Sequence, residues 1–187
     1  MATVAHFSLE HYERMVKLGA FDAPFRMRLE LIRGEIVEMS PIGTEHSYII
    51  DLLNNWSVRV TMDHSIWVRV QNPIRIPVSD SEPEPDVVWA ARKNYADRHP
   101  EPQEVLLVIE VAESSLAFDR GDKLAVYAEA GIQEYWVVNL IDRQIEVHRD
   151  PSGKTYRTST VHRGTEAASP LALPEAKLLP ASLFDHK

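Results

Sequence analysis

The stretch "VLLVIEVAESS", residues 105–115, sets one carboxylate inside an otherwise apolar run. Val105, Leu106, Leu107, Val108, Ile109 and Val111 read as a strand covered on both faces, because a continuous and mostly β-branched run suits a sheet interior. Glu110 interrupts it. A carboxylate taken from water without a partner is strongly disfavoured or takes up a proton, so Glu110 needs a cation, hydrogen-bond donors or a path to solvent. Two other acids have similar surroundings: Asp86 follows Pro85 and precedes "VVW", and Glu30 lies between Leu29 and Leu31. Carboxylates at adjacent strand ends can hold Mg²⁺ or Mn²⁺, since hard cations take oxygen ligands and Mg²⁺ combines a few carboxylates with water and phosphate oxygens. The alternative is a strand-end acid, wetted or paired with an arginine such as Arg28 or Arg33.

Hydrolysis of a phosphodiester needs more than metal ligands. A cationic group must orient the attacking water and offset charge that builds on the phosphorane oxygens. Lys123 is the candidate, because a helix returning over its strand can aim an early-turn side chain at that strand's C-terminal end. Asp119 lies one turn earlier, so an ordinary surface i,i+4 pair is the competing reading. Ser114 and Ser115 read as turn or cap residues, and the eight histidines form no H-E-x-x-H spacing.

The elements that must position these groups follow from periodicity and punctuation. Ser8 caps a helix with Leu9, Tyr12, Met15 and Val16 on one face and Gly19 as its stop. Residues 26–41 read as a hairpin around Arg33–Gly34. Thr44 caps a second helix, whose stripe of His46, Ile49, Ile50, Leu53, Trp56 and Val60 faces the core. "SIWVRVQNPIRIPVSDS" contains two short strands, "DVVWA" a third, and residues 92–104 a polar surface loop. The central strand is followed by a helix from about 118 to 130 that ends at Gly131. "EYWVVNL" and "RQIEVHRD" pair around Ile141–Asp142, and "KTYRTSTV" and "AKLLPASLF" give short terminal strands and turns. Tyr127, Tyr135 and Trp136 have spacings that suit core packing. The order predicts an α/β domain with a mixed sheet and helices packed on it.

Composition narrows the function classes. With 44% hydrophobic and 26% charged residues over 187 positions, the chain reads as one soluble globular domain. No run of about 18 apolar residues is available for a membrane span. The opening residues lack the basic-then-apolar order of a secretion signal, so a cytoplasmic protein is expected. Zero cysteines exclude disulfides, thiolate zinc sites and a cysteine nucleophile. The net charge of −8 argues against broad nonspecific nucleic-acid binding but leaves room for a local basic groove.

The ordered set "EPDVVW", "LLVIEVAESS" and "DRGDKLAVYAEAGIQEYWVVN" resembles the PD-(D/E)XK nuclease superfamily and, within it, the Uma-two family of restriction-endonuclease-like proteins. Residues 105–139 carry the strongest match, and the likeness covers about 25–150 of a single domain spanning 1–187. It implies a restriction-endonuclease-like mixed central sheet flanked by helices. It further implies a Mg²⁺-dependent endonuclease acting on DNA, with Mn²⁺ able to substitute, in which Asp86 and Glu110 bind metal with help from the Val111 carbonyl. Where the superfamily expects lysine two residues after the glutamate, this chain has Ala112. The family resemblance implies that Lys123 takes that role. Glu30 is similar to an additional acidic position and His46 to a histidine on the first core helix, for which a hydrogen-bonded core-edge residue is an equal reading. A two-fold homodimer would be the simplest way to cut both strands. The competing functions are a decayed nuclease fold serving as a binding module, and a metal-independent hydrolase using two carboxylates.

Overall fold

Ser8 opens the first element: its Oγ accepts a hydrogen bond from His11 N at 3.3 Å, and α1 spans Leu9–Lys17. In the computed structural model, which describes residues 4–22 and 28–185, Leu9 and Tyr12 are buried while Met15 is half-buried. Val16, expected on the same face, is exposed because α1 meets a narrow satellite cluster around Leu31 rather than the main core. The hairpin follows, with β1 (Arg28–Ile32) antiparallel to β2 (Glu35–Met39). Its turn residues Arg33 and Gly34 have φ of 53° and 78°, the left-handed pair that matches strand twist. Residues 26 and 27 of the expected hairpin lie outside the described residues.

α2 spans Thr44–Thr61, and Gly43, already extended, occupies the cap position expected for Thr44. Six strands then form one sheet in the order β3 (Ile66–Val70), β4 (Val87–Ala91), β5 (Val105–Ala112), β6 (Glu134–Asn139), β7 (Gln144–Ser152) and β8 (Thr155–Arg163). β5 and β6 are parallel and every other neighbouring pair is antiparallel, which makes the sheet mixed as expected. A parallel pair requires a crossover. It consists of α3 (Leu116–Phe118), a π-helical turn (Asp119–Lys123) and α4 (Leu124–Glu129), ended by Gly131 with φ of 78°.

The two helical layers explain why the central strand is apolar on both faces. Ile49, Leu53 and Trp56 of α2 pack on Trp89, Ile109 and Trp136, and the three indoles stack at 5.3 and 6.1 Å. On the opposite face Val126 and Tyr127 of α4 pack on Val88, Val108 and Val137. Strand alternation puts Glu110 on the α4 face with Val108 and Ala112.

Two further expectations fail. The second strand expected before residue 82 is absent: Ile76 bridges only Ser81, and Pro77 opens a 3₁₀ turn over Pro77–Ser79. Prolines at 73 and 77 remove the donors that a ladder would need. The C-terminal "AKLLPASLF" makes one bridge, Ala168 to Leu178, and then the short helix α5 (Pro180–Phe184), started by its proline. Among the described residues no helix is long and apolar enough to cross a membrane.

Candidate functional site

The C-terminal end of β5, the start of β4, the first turn of α2, the hairpin and the π-helical turn converge on one small recess. Each brings a polar side chain. β5 supplies Glu110, and Asp86 stands immediately before β4, where antiparallel pairing of Val87 with Ile109 sets it beside the end of β5. The Val111 amide donates to Asp86 Oδ2 at 2.8 Å, and the Asp86 amide faces Glu110 Oε2 at 3.3 Å. The two acids expected to act together are thus cross-linked through each other's backbone.

Glu30 reaches the recess because the hairpin is clamped to the body. Glu82 N donates to Leu31 O at 2.7 Å, Gly34 N to Asp80 O at 2.9 Å, and Tyr12 Oη to Leu29 O at 3.0 Å. Glu30 is 1% exposed and contacts neither Arg28 nor Arg33; Arg33 instead pairs with Glu129 at 2.7 Å. The partner of Glu30 is Lys123, whose Nζ lies 3.0 Å from Glu30 Oε2 and 2.9 Å from Glu110 Oε1. Lys123 is 2% exposed, so the reading of a surface pair with Asp119 does not hold. One extra residue in the π-helical turn rotates Lys123 inwards, and such turns are concentrated at functional sites. Ala112 is fully buried in the apolar layer, which leaves no room there for the ammonium that the superfamily pattern expects.

His46 lies within the site. Its Nε2 is 3.1 Å from Asp86 Oδ2, and its side chain is 17% exposed at the mouth of the recess. Burial pushes the Asp86 carboxyl up, but His46, the Val111 amide and Lys123 outweigh it and hold the group below its ordinary value. Glu110 behaves oppositely. Burial dominates, Lys123 only partly offsets it, and the nearby acids add to the rise, so its pKa is about 8. Asp119 is pushed up to about 6 by burial, against Lys123 and the hydrogen bond from Ser115 Oγ at 2.6 Å. Lys123 is itself pushed up: burial disfavours its charge, but Glu110, Glu30 and Asp119 prevail. Its protonated form is thereby favoured, and it donates to both Glu30 and Glu110.

Sequence reasoning missed three contributors. Tyr127 was assigned to the core, and its ring is there, but its hydroxyl donates to Glu110 Oε1 at 2.7 Å. Its position four residues after Lys123 was the available signal, since i and i+4 share a helix face. Gln71 Nε2 approaches Asp86 Oδ1 at 3.4 Å from the end of β3. Glu84 also lines the recess and is pushed up by burial. Ser115 stands at the start of α3 as expected, while its hydroxyl is engaged by Asp119.

Five carboxylates line the recess against two fixed cations, Arg28 and Lys123. Glu30 Oε2 is buried without an aligned hydrogen-bond donor. All-oxygen ligands with surplus negative charge suit a hard divalent cation. Among the described residues no three acidic or histidine side chains form a preassembled cage. Mg²⁺ needs no such cage, since one or two carboxylates with water and phosphate oxygens suffice, so the residues fit.

A family profile described as "Putative restriction endonuclease" matches residues 9–182. The chain belongs to this family, Uma2. A crystal structure from Anabaena variabilis, described as a "putative nuclease belonging to DUF820", is similar in fold, with a TM-score of 0.75 at 13% identity. The match covers 96% of this chain and 98% of that one. The Uma2 chain therefore has a restriction-endonuclease-like α/β fold, and family and fold together support a nuclease. Comparison with curated proteins gave no match.

Proposed function

We propose that the protein is a divalent-cation-dependent nuclease that hydrolyses DNA phosphodiester bonds in the acidic recess. The observation that carries this reading is the buried pairing of Glu110 and Glu30 with one ammonium, beside Asp86 whose amide holds Glu110, with more carboxylate in the recess than the cations neutralise. Asp86 and Glu110 would hold Mg²⁺ or Mn²⁺, with the Val111 carbonyl as a further oxygen. When bound, the cation supplies charge neutralisation at the phosphate and a more acidic water.

The chain's own groups do the rest. Lys123 donates hydrogen bonds towards the reacting phosphate and offsets its developing charge. Tyr127 fixes the Glu110 carboxylate through Oε1, and the Asp86 amide faces Oε2. His46 steadies Asp86 from the mouth. Water oxygen bonds to phosphorus as the phosphorus–O3′ bond breaks, leaving a 3′-hydroxyl and a 5′-phosphate. One proton of the attacking water passes to a recess carboxylate, and the departing O3′ takes its proton from solvent water.

Supercoiled plasmid and labelled oligonucleotides, single- and double-stranded, incubated with Mg²⁺ or Mn²⁺ test the reading. Cleavage by the wild type, lost in Glu110→Gln and Asp86→Asn with melting temperature retained, is the expected result. Cleavage that persists in both variants would overturn the residue assignment. A wild type inert on every substrate would favour a decayed fold with a binding role.

A further inference from the structure

β3 is the open edge of the sheet, and its residues are unusual for an acidic chain. Trp67 is 46% exposed, yet its indole is fixed: Nε1 donates to Lys93 O at 3.1 Å, and the Arg92 guanidinium lies 4.8 Å from the ring centroid. Arg69 is two residues along and therefore on the same strand face. Its guanidinium lies 5.5 Å from the Tyr95 centroid, and its buried Nε has no hydrogen-bond partner. Among the described residues neither Arg69 nor Arg92 has a carboxylate partner. Lys93 and Arg98 share Glu104, and Asp97 is exposed on the same loop. The patch is thus locally cationic in a chain of net charge −8.

Trp67, Arg69, Lys93 and Tyr95, with Asn72 and Asn94, line an open groove. Gln71 links the strand to the acidic recess: it follows β3 directly with φ of 49°, its amide donates to Asp86 O at 3.1 Å, and its side chain approaches Asp86 Oδ1 at 3.4 Å. At strand spacing, Trp67 and Gln71 are ~13 Å apart. A fixed, part-open indole beside unpaired guanidinium groups suits a partner that alternates flat rings with anionic linkages. An acidic peptide would use the charge but leave the indole face unexplained.

We propose that this groove binds a single nucleic-acid strand and feeds it to the recess, with Trp67 stacking a base on the ring face away from Arg92, Arg69 taking a phosphate within the groove and Arg92 a second one at its margin. The feeding role rests on the nuclease reading; the binding role has its own residues.

Anisotropy of a labelled 12-nucleotide single strand, titrated with full-length protein in EDTA, isolates binding from cleavage. Trp67→Leu and Arg69→Gln are expected to weaken it at least about tenfold each, and Arg69→Gln to lower the salt slope by about one. Lys154→Glu, on the β7–β8 turn at the other edge of the sheet, controls for net charge and should leave affinity within about twofold beyond the general charge effect. If Trp67→Leu melts early, the exposed Arg92→Gln replaces it. No binding by the wild type, affinity indifferent to these substitutions, or equal displacement by polyglutamate would overturn the proposal. Mg²⁺-dependent cleavage is scored separately. Its absence beside Trp67-dependent binding overturns the nuclease reading alone, whereas cleavage with binding indifferent to Trp67 and Arg69 overturns the groove alone.

Discussion

Two groups of buried carboxylates share this sheet and receive opposite treatment. Glu134 on β6 and Glu146 on β7 meet arginine: Arg149 approaches Glu134 Oε1 at 2.6 and 2.8 Å, and Arg120 grips Glu146 at 2.8 and 2.5 Å. Neutral N–H donors complete both. Trp136 Nε1 and Leu171 N donate to Glu134, while Asn139 and Gln144 donate to Glu146. Burial pushes Glu146 up, but its donors bring it down to about 2. Glu110 has one lysine, shared with Glu30, and stands at about 8. In the first group arginine and neutral donors together occupy both carboxylate oxygens, whereas Glu110 shares its one cation and keeps its proton up to about 8. The first group ties strands together; the second, in the proposed reading, can exchange its proton for a metal ion.

The largest effect that separates the groups is expected from Lys123→Met. It leaves Glu30 and Glu110 buried without a cation, so urea unfolding should show a loss of about 3–5 kcal/mol. The deficit should shrink in acid, where the carboxylates protonate, and an unchanged midpoint would break the contrast. Arg149→Ala is expected to lose about 2 kcal/mol, because Glu134 keeps its other donors and Arg149 is partly exposed. Cation binding should be untouched by it. A change in metal affinity in Arg149→Ala would show that the two groups are not independent.

The smallest effect is a pH slope. Glu110 holds its proton more tightly folded than unfolded, so between its ordinary 4.5 and about 8 the native state carries the extra proton and stability falls as pH rises. Glu146 has the reverse sign: its contribution is complete above 4.5 and is lost as pH falls towards about 2. Asp119, raised to about 6, and Glu82, raised by burial to about 7, slope the same way at lower pH, so Glu110→Gln should flatten the window above 7 and leave the acid limb intact. Melting temperatures across pH 3–9 check both arms, and a retained upper slope in Glu110→Gln would assign it to another group.

The chemistry was legible where a residue type contradicted its local pattern. Glu110 stood out because an apolar strand has no use for a carboxylate, and the chain order of Asp86, Glu110 and Lys123 led to contacts that the fold makes. Tyr127 was hidden by the opposite circumstance: its ring belongs in the core, and only its hydroxyl reveals the second contact. The π-helical turn has no simple composition, yet it decides that Lys123 faces inwards. Gln71 contacts Asp86 through the pairing of β3 with β4, a long-range register that strand periodicity alone does not define. In the fold, alternating runs gave the strands of the sheet, while Thr44, Val16 and the proline-flanked Ile76 were decided by neighbours beyond their own segments.

Calorimetric titration of Mn²⁺ into the wild type and Glu110→Gln tests the central contrast most directly, since it probes the acid pair without choosing a substrate. Saturable binding in the wild type that disappears in the variant is expected. Equal binding by both proteins, or none by either at millimolar Mn²⁺ with a short DNA strand present to supply phosphate oxygens, would contradict Glu110 as a metal ligand.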